Sequence, residues 1–317
     1  MENVWQKLSH DSIIENIQAT LNIKLSNLLL RRNSYINRVY ELEELTEKRR
    51  FIVKFYRPHR WTPEMINEEH GFLNELANND VSVIPPLAFN NKTLFSLEDI
   101  SYAIFPKKGG RAMDEFDKNQ WEEIGRLLAR IHIVGEKHKT SKRITWMPNI
   151  ATKQHLEVLI NSSFVLPDFK KSLKDIVDLF IGKANQKFNE KEFILLHGDC
   201  HKGNLLHRPG EGIYVVDFDD VCLGPAIQDV WMLFPDKIEK CENEWAWFLK
   251  GYNTFETFDQ MSVELVDVLR GMRIIHFAAW LAIQQKDLDF NNHFPEAGTK
   301  RYWNELIKEL QAITYQI

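Results

Sequence analysis

Three polar residues in the second half of the chain have the types and the spacing that phosphoryl transfer requires. Asn204 follows Asp199 by five residues, and Asp217 follows Asn204 by thirteen. A carboxylate such as that of Asp199 can orient an acceptor hydroxyl, whereas the oxygens of Asn204 and Asp217 are hard ligands that suit Mg²⁺ together with phosphates. The pattern predicts a phosphotransferase site in which Asp199 and Asp217 are catalytic, and Asn204 and Asp217 hold the metal.

The segment between Asn204 and Asp217 explains how the two residues could meet. Residues 205–207 and 213–216 have strand composition, and the turn 208–212 between them contains proline and glycine. Such a hairpin would return Asp217 to the side of Asn204. Because Asp217 ends an apolar run that should be buried, a merely solvated acidic turn is the less favoured interpretation.

Elements that must position these residues are indicated by apolar periodicity. The first third has strands and the rest is mainly helical, which predicts an α+β, bilobal, protein-kinase-like fold. We expect a small β-rich lobe over residues 1–105 and a larger helical lobe over residues 106–317, joined at Phe105-Pro106 ahead of the flexible Gly109-Gly110. The predicted strands are 39–42, 51–56 and 101–105, and the predicted helices are 1–21, 120–132, 169–188, 226–234 and 263–285.

The amino-terminal lobe offers a lysine and a glutamate for the nucleotide. Lys54 lies in the middle of an apolar strand, and a helix follows with Thr62 as its N-cap and Pro63 at its first position. Glu69 falls at the centre of the apolar face of that helix and needs a partner, which Lys54 would supply. Glu68, at the margin of that face, is the alternative partner. An edge-protecting lysine and a glutamate that reaches solvent are the competing interpretations.

The segment expected to cover the phosphates, residues 30–40, contains no glycine and departs from the G-x-G-x-x-G pattern. Ser34 and Asn37 have donors that could bind phosphate oxygens. An Asn/Ser-rich hairpin turn would explain the same residues. Both interpretations stay open at this point.

Composition limits the class of protein. A net charge of −5 argues against a general nucleic-acid binder, and three cysteines without paired spacing favour a reducing compartment. Residues 1–21 lack the apolar core of a secretory signal, and the most apolar stretch, 274–283, is too short to span a bilayer. We therefore expect a cytoplasmic protein that does not insert into membranes, and we expect a monomer.

A cluster of possible soft metal ligands, His197, Cys200 and His201, surrounds Asp199. No C-x-x-C pair accompanies them, so a zinc site is disfavoured, and His197 is expected to orient the loop. Trp280 and Trp303 fit either the core or a substrate cleft.

Several segments together resemble the stress response kinase A family, the YihE/RdoA bacterial protein kinases of the aminoglycoside/choline phosphotransferase superfamily. The resemblance covers most of the chain, and the Asp-Cys-His form of the catalytic loop is its most specific part. It implies a cytoplasmic kinase that depends on ATP and Mg²⁺, phosphorylates Ser or Thr of proteins including itself, and supports survival of envelope or oxidative stress. The segments that carry it are 33–40, 53–58, 105–111, 197–204 and 224–233.

The resemblance also implies roles for individual residues. Asp199 becomes the residue that accepts or orients the hydroxyl proton, Lys54 holds the nucleotide phosphates, and Ser34 occupies a nucleotide-contacting position. Asp229 would steady the catalytic loop. Asp219 stands where protein kinases have the glycine of DFG, and would either reach the metal through water or fix the loop.

Two other functions remain open. A small-molecule kinase of the aminoglycoside, choline or homoserine kinase type would use the same catalytic residues, and an acidic cleft would favour it. Such a cleft could be formed by Asp219, Asp220, Glu239 and Glu242. A nucleotide-binding pseudokinase that serves as an interaction module is the second alternative, supported only by the glycine-free loop.

Overall fold

The amino-terminal part of the chain is a helix packed on an antiparallel sheet, followed by a second helix. The computed structural model describes residue 5 and residues 7–138 and 141–317. The elements of this part are α1 (His10–Leu21), β1 (Leu25–Arg32), β2 (Arg38–Glu44), β3 (Arg50–Phe55), α2 (Pro63–Asn78), β4 (Phe95–Leu97) and β5 (Ile100–Pro106). Helix α1 lies within the predicted segment 1–21, of which residues 1–4 and 6 are outside the described residues.

The five strands form one sheet in the order β1-β2-β3-β5-β4. Phe51, Val53 and Phe55 of β3 face the small core that α1 and the sheet share. Because side chains alternate along a strand, Lys54 points to the opposite face. The strands predicted at 39–42, 51–56 and 101–105 are confirmed as β2, β3 and β5.

Helix α2 begins as its sequence predicts. The hydroxyl of Thr62 accepts a hydrogen bond from the N–H of Met65 at 3.3 Å, and Pro63 is the first helical residue. Phe72, Leu73 and Leu76 on its inner face belong to the larger core of the molecule. The helix therefore ties the sheet to the remainder of the chain.

The remainder is mainly helical and encloses the larger core. Its elements are β6 (Arg111–Ala112), α3 (Lys118–Gly135), α4 (Lys153–Asn161), α5 (Pro167–Ala184), β7 (Ile194–Leu196), β8 (Leu205–Arg208), β9 (Gly212–Val215), β10 (Cys222–Gly224), α6 (Glu242–Tyr252), α7 (Val266–Gln284), α8 (Phe290–His293) and α9 (Lys300–Gln316). Helix α3 packs on α6, and α5 packs on α9. No helix in the described ranges has both the length and the apolar character needed to cross a bilayer.

Most of the predicted helices are present. Segment 120–132 lies in α3, and α5 and α7 account for most of 169–188 and 263–285. The prediction of one helix over 226–234 is wrong, because the chain there forms two short 3-10 helices, Ala226–Asp229 and Trp231–Leu233. Gln228 and Asp229 of this segment are buried and bond the backbone of the catalytic loop, so tertiary hydrogen bonds outweigh the local helical pattern here.

Two sets of contacts connect the sheet to the helical part. The chain leaves the first sheet at Pro106 and enters a second one at Arg111, where β6 pairs with β8. Elsewhere the guanidinium of Arg57 donates to Asp287 at 2.9 Å. The ring of Tyr35 also packs against a set of rings from the helical part, namely Trp280, His293 and Phe294. We call the Arg57–Asp287 ion pair and the Tyr35 ring contacts the lobe latch.

Cys200, Cys222 and Cys241 are free thiols, and all three are buried in the larger core.

Candidate active site

The loop between β7 and β8 carries Asp199 and is fixed from behind by a buried aspartate. The carboxylate of Asp229 accepts hydrogen bonds from the backbone N–H groups of His197 and Gly198, both at 2.8 Å. The side chain of Gln228 donates to the carbonyl of Gly198 at 3.0 Å. Asp229 is fully buried, so these bonds satisfy a charge that would otherwise be costly. Its position agrees with a structural role.

Gly198 is required by the path of this loop. Its φ of +83° lies in the left-handed region, and a Cβ there would stand 2.0 Å from the carbonyl oxygen of Asp220. His197, its neighbour, bonds at both ring nitrogens: Nδ1 lies 3.2 Å from the N–H of Asp199 and Nε2 lies 2.9 Å from the carbonyl of Val216. His197 thus joins the Asp199 loop to the strand that delivers Asp217.

Asp199 faces the cleft with its carboxylate between two basic side chains. Arg273 from α7 lies 2.7 Å from Oδ1, and the Nε2 atom of His201 lies 3.5 Å from Oδ2. Burial alone would raise the pKa of Asp199, but the hydrogen bond from His201 and the charge of Arg273 lower it to about 2. At neutral pH Asp199 is therefore an ionised acceptor.

The predicted hairpin is present and brings Asn204 beside Asp217. Strands β8 and β9 pair with Leu205 opposite Val215, and the N–H of Val216 donates to the carbonyl of Asn204 at 3.0 Å. The side-chain nitrogen of Asn204 donates to the carbonyl of Asp199 at 3.0 Å, which leaves its side-chain oxygen as the ligand atom. Asp217 adopts a left-handed backbone conformation with φ of 63°, unusual for a residue with a side chain.

Lys54 reaches this hairpin from the amino-terminal sheet. Its Nζ donates to Asp217 at 2.9 Å and also to Asp219. Burial opposes the charge of Lys54, but Asp217, Asp219 and Glu69 raise its pKa above the usual value. The lysine is therefore a fixed positive charge at the site.

Asp219 is a buried junction rather than a solvated turn residue. Its carboxylate accepts from Asn37 at 2.6 Å and from Arg60 at 3.2 Å, in addition to Lys54. Burial raises its pKa, but Lys54 and Arg60 lower the net value to about 2. The Asn37 amide is thus committed to Asp219, and the hydroxyl of Ser34, which lines the cleft, accepts from the N–H of Asn37 at 3.3 Å.

Glu69 is buried beside the cleft, but its geometry differs from the expected pairing with Lys54. The hydrogen bonds of Lys54 go to Asp217 and Asp219, and Glu69 lies 4.0 Å from the guanidinium of Arg143. Arg143 is itself buried and donates to the carbonyls of Val221 and Asp219. Burial raises the pKa of Glu69 to about 8, so the ionised Asp219 attracts Lys54 more strongly than Glu69 does. Glu68 lies elsewhere and accepts from the N–H of Lys142.

One cleft of about 660 Å³ lies between the sheet and the helical part. Its lining includes Ser34, Lys54, Glu69, Asp199, Asp217 and Asp219. Asn204 and Arg143 lie beside the cleft and are not among its lining residues. Trp280 lines it, whereas Trp303 is fully buried in the core. Three arginines of the site, Arg60, Arg143 and Arg273, were not predicted. A usable signal existed for Arg273, because it directly precedes the apolar stretch 274–283 of α7 and a charge beside such a stretch needs a partner. The described residues contain no group of three or more His, Cys, Asp or Glu side chains able to hold a metal.

Comparison with known proteins identifies the family of the chain. The phosphotransferase enzyme family matches residues 29–263. Stress response kinase A of Escherichia coli K12 is 36% identical over 305 residues, which cover 94% of this chain and 90% of that protein. Serine/threonine protein kinase RdoA of Salmonella typhimurium is 37% identical over 277 residues, which cover 86% of this chain and 82% of that protein.

Solved structures share the fold at low sequence identity. Amicoumacin kinase hAmiN, in complex with AMP-PNP, Ca²⁺ and Ami, has a TM-score of 0.77 at 18% identity, covering 98% of this chain and 94% of its own. Choline kinase LicA from Streptococcus pneumoniae has a TM-score of 0.66 at 16% identity, covering 96% and 100%. The bilobal α+β fold of phosphotransferases is therefore confirmed. The chain belongs to the phosphotransferase enzyme family and, within it, to the family of stress response kinase A.

Proposed function

We propose that this phosphotransferase is an ATP-dependent serine/threonine protein kinase that phosphorylates proteins, itself included, in a bacterial stress response. The observation that carries the proposal is that Lys54, Asp199 and Asp217 line one cleft. The carbonyl of Asn204 accepts a hydrogen bond from Val216, the residue before Asp217. The names of the relatives at 36% and 37% identity support the protein acceptor and the stress role. The free cysteines support a reducing, cytoplasmic setting, where we infer that the protein acts as a monomer.

On the nucleotide side, Lys54 would hold the phosphates. Asp217 and Asp219 already hold its ammonium group in the cleft. To bind a nucleotide, Lys54 would exchange a carboxylate partner for a phosphate without moving far. Ser34 would offer its hydroxyl from the glycine-free loop, whose shape Asn37 maintains by bonding Asp219. Asp217 and Asp219 would keep Lys54 charged.

The oxygens of Asn204 and Asp217 fit a magnesium ion. One amide oxygen and one half-exposed carboxylate are the hard donors that Mg²⁺ accepts, and the small number of protein ligands leaves room for phosphates and water. When bound, the ion would neutralise phosphate charge. Asp217 would have to share its carboxylate between this ion and Lys54.

Asp199 would receive the hydrogen bond of the acceptor hydroxyl and orient its oxygen. With a pKa of about 2 it is a weak base, which suits a loose transition state that asks for alignment more than for proton removal. His197 and Asp229 would keep the loop in place during the reaction.

Labelling with γ-labelled ATP and Mg²⁺ tests the proposal. The purified protein would be incubated alone, with a generic protein acceptor, and with a panel of amino alcohols and aminoglycosides. We expect label on Ser or Thr of protein, and we expect Asp217→Asn and Lys54→Met to lower transfer by about a hundredfold or more while the fold is kept. Asp236→Asn, at an exposed aspartate paired with Lys240, is the matched control.

Transfer of label at the wild-type rate in Asp217→Asn or Lys54→Met would contradict the assignment of the site. Label on a small molecule only would move the chain to the metabolite-kinase alternative. Nucleotide binding without any transfer would favour the pseudokinase.

A further inference from the structure

One wall of the cleft is a face of helix α7 next to Asp199. Arg273, His276, Phe277 and Trp280 line the cleft from this helix, and their spacing of three, four and seven residues places them on one face. Phe277 and Trp280 stack at 5.6 Å, which gives that wall an apolar surface. Because this wall adjoins Asp199 rather than Lys54, it would face the acceptor.

The cleft carboxylates already have basic partners. Asp217 and Asp219 bond Lys54, and Arg60 binds both Asp219 and Asp220 at 3.2 and 2.7 Å. Glu69 lies against Arg143 in the interior. The two other acidic candidates for a cationic pocket, Glu239 and Glu242, are exposed and do not line the cleft. In the described residues, the acceptor wall therefore offers no uncommitted carboxylate to a cationic acceptor.

Arg273 is the positive charge of this wall. His155 and His276 lie 3.1 Å apart beside it, and burial lowers their pKa values to about 3 and about 4, so both are neutral near pH 7. Arg273 has a third of its side chain exposed and lies 2.7 Å from Asp199. When Asp199 turns an oxygen to the acceptor hydroxyl, the guanidinium keeps donors for a second carboxylate, because its planar fork carries five N–H groups.

We propose that Arg273 is the acceptor-recognition residue and that it selects Ser or Thr hydroxyls with an Asp or Glu side chain nearby in the acceptor peptide. This inference rests on the protein-kinase function proposed above. The acceptor carboxylate would bind Arg273, and the aromatic wall of Phe277 and Trp280 would cover the backbone beside it. An acidic neighbour would thereby hold the hydroxyl against Asp199, whereas a basic neighbour would meet Arg273 as a like charge.

The test uses the full chain and three Ser peptides that differ only in the residues flanking the serine, which are Glu, Gln or Lys. For the wild type we expect kcat/KM to be roughly tenfold to a hundredfold higher for the Glu peptide than for the Gln peptide, mainly through KM, which is the range that a charged hydrogen bond gives. Arg273→Gln should abolish this preference, and Arg273→Glu should shift it to the Lys peptide. Arg273→Lys should keep part of it.

Arg270→Gln is the matched control, since Arg270 lies one turn away on α7 and pairs with Glu309 on the surface. It should keep the wild-type preference. Equal use of the three peptides by the wild type, or a preference that survives in Arg273→Gln, would overturn the inference while the kinase function stands. No transfer to any peptide or protein would overturn the kinase function and this inference with it. If the Arg273 variants do not fold, the wild-type comparison decides alone.

Discussion

Lys54 bonds Asp217 and Asp219 in this structure, and Glu69 is left without a hydrogen bond from this lysine. Its carboxyl group is buried, and Arg143, at 4.0 Å, is the basic side chain that the described part of the chain brings closest to it. Burial and the negative charge of Asp219 raise the pKa of Glu69 to about 8. The positive charges of Lys54 and Arg143 act in the opposite direction but do not cancel this rise. Near neutral pH this residue therefore holds its proton when the protein is folded and releases it when the chain unfolds.

The raised pKa predicts a stability that falls as pH rises. Below the ordinary value of 4.5 both states are protonated, and between 4.5 and about 8 only the folded state holds the proton, so the free energy of unfolding decreases through this window. Glutamine at this position stays neutral. The free energy of unfolding of Glu69→Gln, relative to that of the wild type, should therefore increase by up to a few kcal/mol between about pH 5.5 and about pH 8.5. Urea denaturation at the two pH values measures the difference. Glu68→Gln is the control, and parallel wild-type and Glu69→Gln results would contradict the raised pKa.

At the scale of elements, local sequence patterns predict the strands, turns and helix starts that local interactions determine. Alternating apolar residues reveal β3, the Pro-Gly turn reveals the hairpin of β8 and β9, and Thr62-Pro63 marks the start of α2. The partners of charged residues come from distant segments, so their choice depends on the assembled fold. Lys54 illustrates this, because its two partners lie more than 160 residues away while the expected Glu69 is nearer in sequence. The sequence predicted that Lys54, Asp199 and Asp217 would lie in one cleft, but it could not predict how Lys54 pairs or which arginines join it.

The close approach of α3 and α6 depends on a glycine that sequence patterns do not explain. A Cβ at Gly125 would lie 2.3 Å from the carbonyl oxygen of Phe248 and 2.7 Å from the nitrogen of Tyr252. Since backbone cannot yield as a side chain can, Gly125→Ala should destabilise the protein by about 2 kcal/mol or more. Gly182→Ala is the control, because that exposed glycine of α5 has open space and should gain up to about 1 kcal/mol in helix propensity. Thermal unfolding decides, and equal effects would refute the packing argument.

For the whole molecule, we expect the lobe latch to control how fast a bound nucleotide leaves the cleft. The Arg57–Asp287 pair is mostly shielded from water, and the Tyr35 rings add contacts across the same gap. Asp287→Asn would weaken the charge attraction without removing bulk. We expect a nucleotide analogue to dissociate about tenfold faster from this variant, which corresponds to ~1.4 kcal/mol. Stopped-flow fluorescence measures the rate.

The control for the latch is Arg301→Gln, because Arg301 and Glu305 form an exposed pair that lies within α9 alone. That variant should release nucleotide at the wild-type rate. An unchanged rate in Asp287→Asn would mean that the ring contacts of Tyr35 suffice to keep the two parts together.

Cys200 follows Asp199 directly, yet its thiol is sealed in the core. Burial, with the charges of Asp229 and Asp199, raises the pKa of this thiol well above its usual value, so it stays protonated and unreactive. Among the described residues of the catalytic loop, peroxides and alkylating agents therefore find no reactive thiol while the molecule is folded. Oxidation of Cys200 has to wait for an opening of the core, and the lifetime of this thiol in an oxidising medium is then set by how seldom the interior opens.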